Sequence, residues 1–422
     1  MTLERFSFGI GDRFGAQGVA QLRALQMAAA RGVNIAPVWN KSNREHVIIG
    51  TRPDDTRREA DKAALVLGWT KPYFVDADHI GISTVDKFLD SSNFFTIDVA
   101  DFIGSPAPAD AVQAFMTATS RFRGTLSIPG IEVPFTIDEE MLGAIASTYL
   151  NAVAEAGRVY RHIFSSRPSG DFVTEISLDE AGAPQSPAEL FFILAAIAHE
   201  GIALQTIAPK FSGSFLKGVD YVGDASAFAK EFEDDLSVIA FAVRTFDLPA
   251  TLKLSVHSGS DKFSLYPLMH RAIEQRGAGL HLKTAGTTWL EEVISLAESG
   301  GDGLTLAKEI YSQSYLRFDE LCKPYASVIA IDRSILPSPG DVLCWPGEVF
   351  AQALRHDQSC RAFNRHFRQL VHVGYKVAAE MGTRFTDLVK GQHERVGNNV
   401  THNLFDRHIQ PLFLGTSHQR TP

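Results

Sequence analysis

The chain has 422 residues, 45% hydrophobic and 21% charged, a composition that excludes a disordered chain and allows one large core plus an extension. Its net charge of −9 comes from scattered acids, and no Lys/Arg-rich run forms a phosphate-binding stripe, so nucleic acid is excluded as the expected partner. Cys322, Cys344 and Cys360 lack CxxC pairing, and the start MTLERFSFGIGDRFG carries no basic-then-apolar leader, so a reduced, cytoplasmic chain with no disulfide framework, structural zinc or membrane partner is expected.

Short β-prone runs then alternate with helical patterns, as in a parallel sheet of βαβ units. Phe6–Gly9 reads as the first strand, followed by a helix over 17–31 that Gly32 ends. The second strand is 34–39, the third 73–76 after a helix over 56–67, and the fourth 94–97 after a short helix over 84–89. The spacing breaks at 104–164, which holds the Pro/Gly-rich SIPGIEVPF and a strong helix from Asp138, so an insertion follows the fourth strand. Residues 172–177, 203–207, 252–256 and 280–283 supply strands five to eight, with the apolar helix Pro187–His199 between five and six. Eight strands close a (β/α)₈ barrel over about residues 1–300, and the mostly helical 301–422 is expected to pack on it as an extension. A doubly wound sheet is the structural alternative.

In such barrels the chemistry sits where the strands end at their C-terminal side. Asp12 and Arg13, Asp76, Asp78 and His79, Asp98, Glu175 and Asp179, Lys210, His257, Asp261 and Lys262, and His281 and Lys283 occupy those positions. A charged or imidazole side chain there must meet a partner or a ligand. His257 and His281 end adjacent strands, and two neutral imidazoles suit Zn, Mn, Co or Ni, with His79 or Glu175 as third ligand. Each of the histidines taken singly reads more readily as a hydrogen-bonded structural residue than as a ligand; their coincidence at strand ends favours the site. Arg13, Lys210, Lys262 and Lys283 are the candidates for a substrate carboxylate, or for a Schiff-base lysine. GIGDRFG lacks the spacing of a dinucleotide or Walker loop, and neither HExxH nor GxSxG occurs.

The strings FSFGIGDRFG, YFVDADHIG with FFTIDVAD, TIAPKFSGSFLKGVDYVGD, KLSVHSGSDKFSLYP and LHLKTAGTTWLEE resemble the tagaturonate epimerase family over most of the barrel. The resemblance implies a divalent-metal-dependent sugar-acid epimerase that inverts carbon 4, with Asp78, His79, His257 and His281 on its strand-end motifs. A ketone at carbon 2 does not acidify the hydrogen on carbon 4, which leaves transient oxidation or cleavage and re-formation of the bond between carbons 3 and 4; the missing dinucleotide fingerprint favours cleavage. Asp78 and Glu175 are then the expected proton carriers, with the metal as Lewis acid. A ketose/aldose isomerase, a lysine-dependent aldolase and an inactive sugar-acid-binding barrel are the alternatives, and the sequence leaves room for a homo-oligomer.

Overall fold

The computed structural model describes residues 1–284 and 287–415; Ala285 and Gly286 of the LHLKTAGTTWLEE string, and residues 416–422, lie outside the described residues. Ten strands form in chain order: β1 (Phe6–Gly9), β2 (Ala36–Ser42), β3 (Phe74–Ile80), β4 (Phe94–Asp98), β5 (Gly124–Leu126), β6 (Phe135–Ile137), β7 (Val173–Ser177), β8 (Thr206–Ala208), β9 (Lys253–His257) and β10 (Leu280–Lys283). Eight of them close a barrel in the order β1, β10, β9, β8, β7, β4, β3, β2, and every neighbouring pair is parallel. With helices between the strands this is a (β/α)₈ barrel.

Alternation along the strands sorts side chains between two environments. Phe8, Trp39, Val75, Phe95, Ile176, Leu254 and Leu282 join the large core between strands and helices. The other parity faces inward, where Leu3, Ala36, Val38, Phe74, Phe94 and Val173 form a separate apolar plug at the barrel's base. One layer higher the interior turns polar, with Asp76, Thr96, Glu175, Thr206, Ser255 and His281 all buried. β2 and β3 run further than their hydrophobic residues suggest, to Ser42 and Ile80.

The insertion between β4 and β7 contains the antiparallel β5–β6 hairpin and the helix Glu139–Ser166. Asp138 caps that helix by accepting from the Met141 amide at 2.7 Å. Its buried Leu142, Ile145, Tyr149, Ala152, Val153, Ala156, Val159 and Ile163 follow helical spacing, so the helix serves as the barrel's own outer helix at that position. After β10 the described chain is helical. Helix Arg365–Val373 ties to the barrel where Trp289 Nε1 donates to the Val371 carbonyl at 3.1 Å, and Phe413 of the π-helical segment Asn403–Leu414 packs against Phe6 and Phe8.

Candidate active site

A cavity of about 590 Å³ opens over the C-terminal ends of the strands, lined among others by Arg13, Asp78, His79, Asp98, Asp179, Lys210, His257 and Lys283. Consecutive strand residues ordinarily face opposite sides, yet Asp78 and His79 both line it. His79 adopts a left-handed φ of 51°, and the β3–β4 register shifts between Ala77 and Ile80. That bulge turns both side chains into the mouth, an arrangement that would be hard to retain without a use for it.

Three groups meet on the cavity wall: His79, Asp179 and His257 each bring one ligand atom to within 4.8 Å of the others. The far nitrogen of each ring is held by a carboxylate. His79 Nδ1 donates to Asp78 Oδ1 at 2.8 Å, and His257 Nε2 donates to Glu175 Oε1 at 2.9 Å. The near nitrogens face Asp179, His79 Nε2 at 3.4 Å and His257 Nδ1 at 3.1 Å. His257 Nδ1 is buried and has no hydrogen bond of good geometry to any described residue. Two imidazoles pinned from behind by carboxylates, with their free nitrogens converging on a third carboxylate, fit a divalent transition metal.

Beneath this group the Lys283 ammonium lies between three carboxylates: Asp76 at 2.8 Å, Asp78 at 2.8 Å and Glu175 at 3.0 Å. Thr96 Oγ1 accepts from it at 2.5 Å, and Thr206 donates to Glu175 at 2.8 Å. Gly9 makes room for the lysine, since a Cβ there would stand 2.8 Å from Lys283 Cγ. Burial raises the Asp76 carboxyl to about 7 against the pull of Lys283, helped by the neighbouring Asp78 and Glu175 charges. Burial acts the same way on Glu175 and Asp78, but Lys283 and the adjoining imidazoles outweigh it and hold both well below the usual carboxylate range. The imidazoles respond in kind. Burial lowers and the surrounding carboxylates raise, which leaves His257 at about 9 and His79 well above its ordinary value. Asp98, on the cavity wall, is raised by burial.

The structure therefore gathers Asp78, His79, Glu175, His257 and Lys283 into one network, and Arg13 and Lys210 line the same cavity. His281 and Lys262 stand elsewhere. His281 is fully buried one layer below Lys283, its Nδ1 2.9 Å from Ser7 Oγ and its ring 5.3 Å from Phe94, because it stands two residues earlier on the same inward face of β10, nearer the apolar plug than the mouth. The Lys262 ammonium turns into the neighbouring loop after β8 and donates to the carbonyls of Leu216 at 3.1 Å and Val219 at 2.9 Å. Of the other candidates, Arg13 pairs with Glu45 at 3.2 Å, and Lys210 Nζ donates to the Ala181 carbonyl. Asp179, two residues beyond β7, is the member of the three-residue group that strand-end reading noted without a role; its position opposite two histidines is invisible in the sequence.

The family model for tagaturonate epimerase matches residues 1–390. The chain belongs to the tagaturonate epimerase family. With that family it is an enzyme, an isomerase acting on carbohydrates. A tagaturonate/fructuronate epimerase of Thermotoga maritima is 30% identical over 357 residues, covering 79% of this chain and 67% of that protein. The fold matches crystal structures of the fructuronate-tagaturonate epimerase UxaE from Cohnella laeviribosi at 22% identity. The complex with two glycerols gives a TM-score of 0.80 over 98% of this chain and 82% of that one; the complex with one glycerol gives 0.78 over 96% and 82%.

Proposed function

We propose that this epimerase interconverts fructuronate and tagaturonate by inverting carbon 4, and that His79, Asp179 and His257 hold a divalent cation of the Zn, Mn, Co or Ni type. The observation that carries this reading is the pair of carboxylate-backed imidazoles converging on Asp179. Such a cation, when bound, supplies a Lewis acid for the ketone end of the sugar acid. The protein's own groups do the rest.

The hydrogen on carbon 4 is not acidic, so the reading takes the route through the bond between carbons 3 and 4. A carboxylate removes the proton of the carbon 4 hydroxyl, the bond breaks with its electrons passing to carbon 3, and the new aldehyde turns before the bond re-forms on its other face. The returned proton restores the hydroxyl, so atoms and charge balance without a redox partner. Asp78 lines the cavity and suits the proton carrier on one side. Glu175 is fully buried behind His257 and suits the orienting role better than direct proton transfer. Asp98, exposed to the cavity and raised by burial, is the counterpart on the other face. A ketose/aldose isomerase remains the second reading, since the same pinned imidazoles would also serve a carbonyl shift between carbons 1 and 2.

The test is proton NMR of the metal-loaded protein with fructuronate, repeated after chelation and with His257→Ala and Asp179→Asn. Tagaturonate should accumulate in the first sample and its rate of formation should fall about 100- to 1000-fold in the others, the scale of losing an electrophilic stabiliser. Turnover that survives chelation and both substitutions would remove the metal from the reading.

A further inference from the structure

Five cations line the cavity, Arg13, Arg44, Lys210, Lys217 and Lys283. Three are already engaged: Lys283 by three carboxylates, Arg13 by Glu45 and the Tyr375 ring, Lys210 by a carbonyl. Arg44 lies exposed on the rim, its guanidinium 5.2 Å above the centre of the Tyr325 ring. The Lys217 ammonium has neither an ion pair nor a hydrogen-bond acceptor among the described residues, although it faces the interior of the mouth.

The backbone that carries Lys217 is unusually well fixed. Its own amide donates to the Val328 carbonyl at 2.7 Å. The Gly218 amide donates to Ser260 Oγ at 2.8 Å, and the Gly218 carbonyl accepts from Arg368. On either side, the Leu216 and Val219 carbonyls accept from the buried Lys262 ammonium. The free ammonium then rests beside Gly259, two residues past His257; a Cβ at Gly259 would stand 3.3 Å from Lys217 Nζ, and its φ of 65° favours glycine. Buried Lys262, Ser260 and Arg368 thus aim a flexible side chain from a rigid base into the cavity that holds His79 and His257.

We propose that Lys217, flanked by Arg44, is the anchor for the carboxylate of the sugar acid. This rests on the reading of the cavity as a hexuronate site and adds which residue selects the acid. A carboxylate is repelled by Asp78, Asp98 and Asp179, so the unpaired cation decides which end of the substrate turns away from them. Burial and the neighbouring Arg13 and Arg44 charges already hold the lysine below its ordinary pKa, and an arriving anion relieves that repulsion. In the cleavage route the carboxylate belongs to the fragment that must turn, so an anchor there also keeps the freed aldehyde in place.

The test is calorimetric titration of the metal-loaded protein with a six-carbon aldonate and with the neutral hexitol of the same configuration. Wild type should bind the aldonate about 10- to 100-fold more tightly, the range of a hydrogen bond to a charged group. Lys217→Met and Lys217→Gln, checked for a cooperative melt, should lose that preference, and Lys217→Arg should keep most of it. A wild type without the preference, or either neutral variant that folds and retains it, overturns the proposal. Fructuronate conversion is scored separately by NMR: if wild type shows none while the aldonate preference still depends on Lys217, the epimerase reading fails and the anion anchor stands.

Discussion

At the residue scale the barrel interior holds more charge than a core usually accepts. One ammonium serves Asp76, Asp78 and Glu175, and removing one member of such a buried group typically costs about 3–5 kcal/mol because the remaining charges stay uncompensated. His281, directly below, is the opposite case. Burial drives its pKa down to about 3, with Glu175 pulling the other way, so it stays neutral in the folded protein. In the unfolded chain it takes a proton near its ordinary value of 6.5. The unfolded state therefore binds more protons between those values, and the contribution of His281 to stability is full above about 6.5 and drains as pH falls towards 3. Urea unfolding at pH 7 and pH 5 should show wild type losing about 2 kcal/mol more than His281→Asn over that interval. Parallel losses in the two proteins would mean that His281 is not held neutral.

At the element scale the loops after β8 and β9 are held by the C-terminal extension as well as by the barrel. Asp261, in the loop after β9, accepts from Arg368 at 2.6 Å and from His356 Nδ1 at 3.0 Å, with His408 Nε2 at 3.2 Å. Arg368 also donates to the Leu354 carbonyl at 2.6 Å and to that of Gly218. One arginine from helix Arg365–Val373 thereby joins the segment carrying Lys217 to the loop that follows His257. Arg368→Ala should lower stability by about 3–5 kcal/mol in urea unfolding, since Asp261 stays buried without its main partner. Its steady-state kinetics on fructuronate should show KM rising more than kcat falls. An unchanged midpoint would mean that the two histidines and Thr287, which donates to Asp261 at 3.1 Å, suffice to hold it.

At the scale of the whole molecule, barrel and extension share contacts at both ends. The extension reaches the mouth through Arg368 and the outer wall through Phe413 on Phe6 and Phe8 and through Thr401 Oγ1, which donates to the Ala20 carbonyl at 2.9 Å. Among the described residues no helix is long and apolar enough to cross a membrane. Calorimetry should show barrel and extension unfolding in one transition, because neither buries its apolar face without the other. Two resolved transitions would establish an independently stable barrel.

The strands of the barrel are legible in the chain, and closure of the sheet excludes the doubly wound alternative. Eight short β-prone runs with helices between them, interrupted once by a Pro/Gly-rich insertion, admit few other closed arrangements, and the expected β1 and β10 match the structure residue for residue. The sequence also marked Asp78, His79, His257 and Lys283, since charged side chains at strand ends need partners. Tertiary structure alone decided what those partners are. Position along β10 left His281 one layer below the mouth, while a left-handed turn at His79 broke strand alternation to put two neighbours in the mouth. Asp179 comes opposite His79 and His257 only through closure of the barrel, and Lys217, without a partner among the described residues, rides on a loop that Lys262, Ser260 and Arg368 hold. Periodicity is local and survives in the chain; which side chains meet across a closed sheet depends on register and on loops fixed by residues far along the sequence.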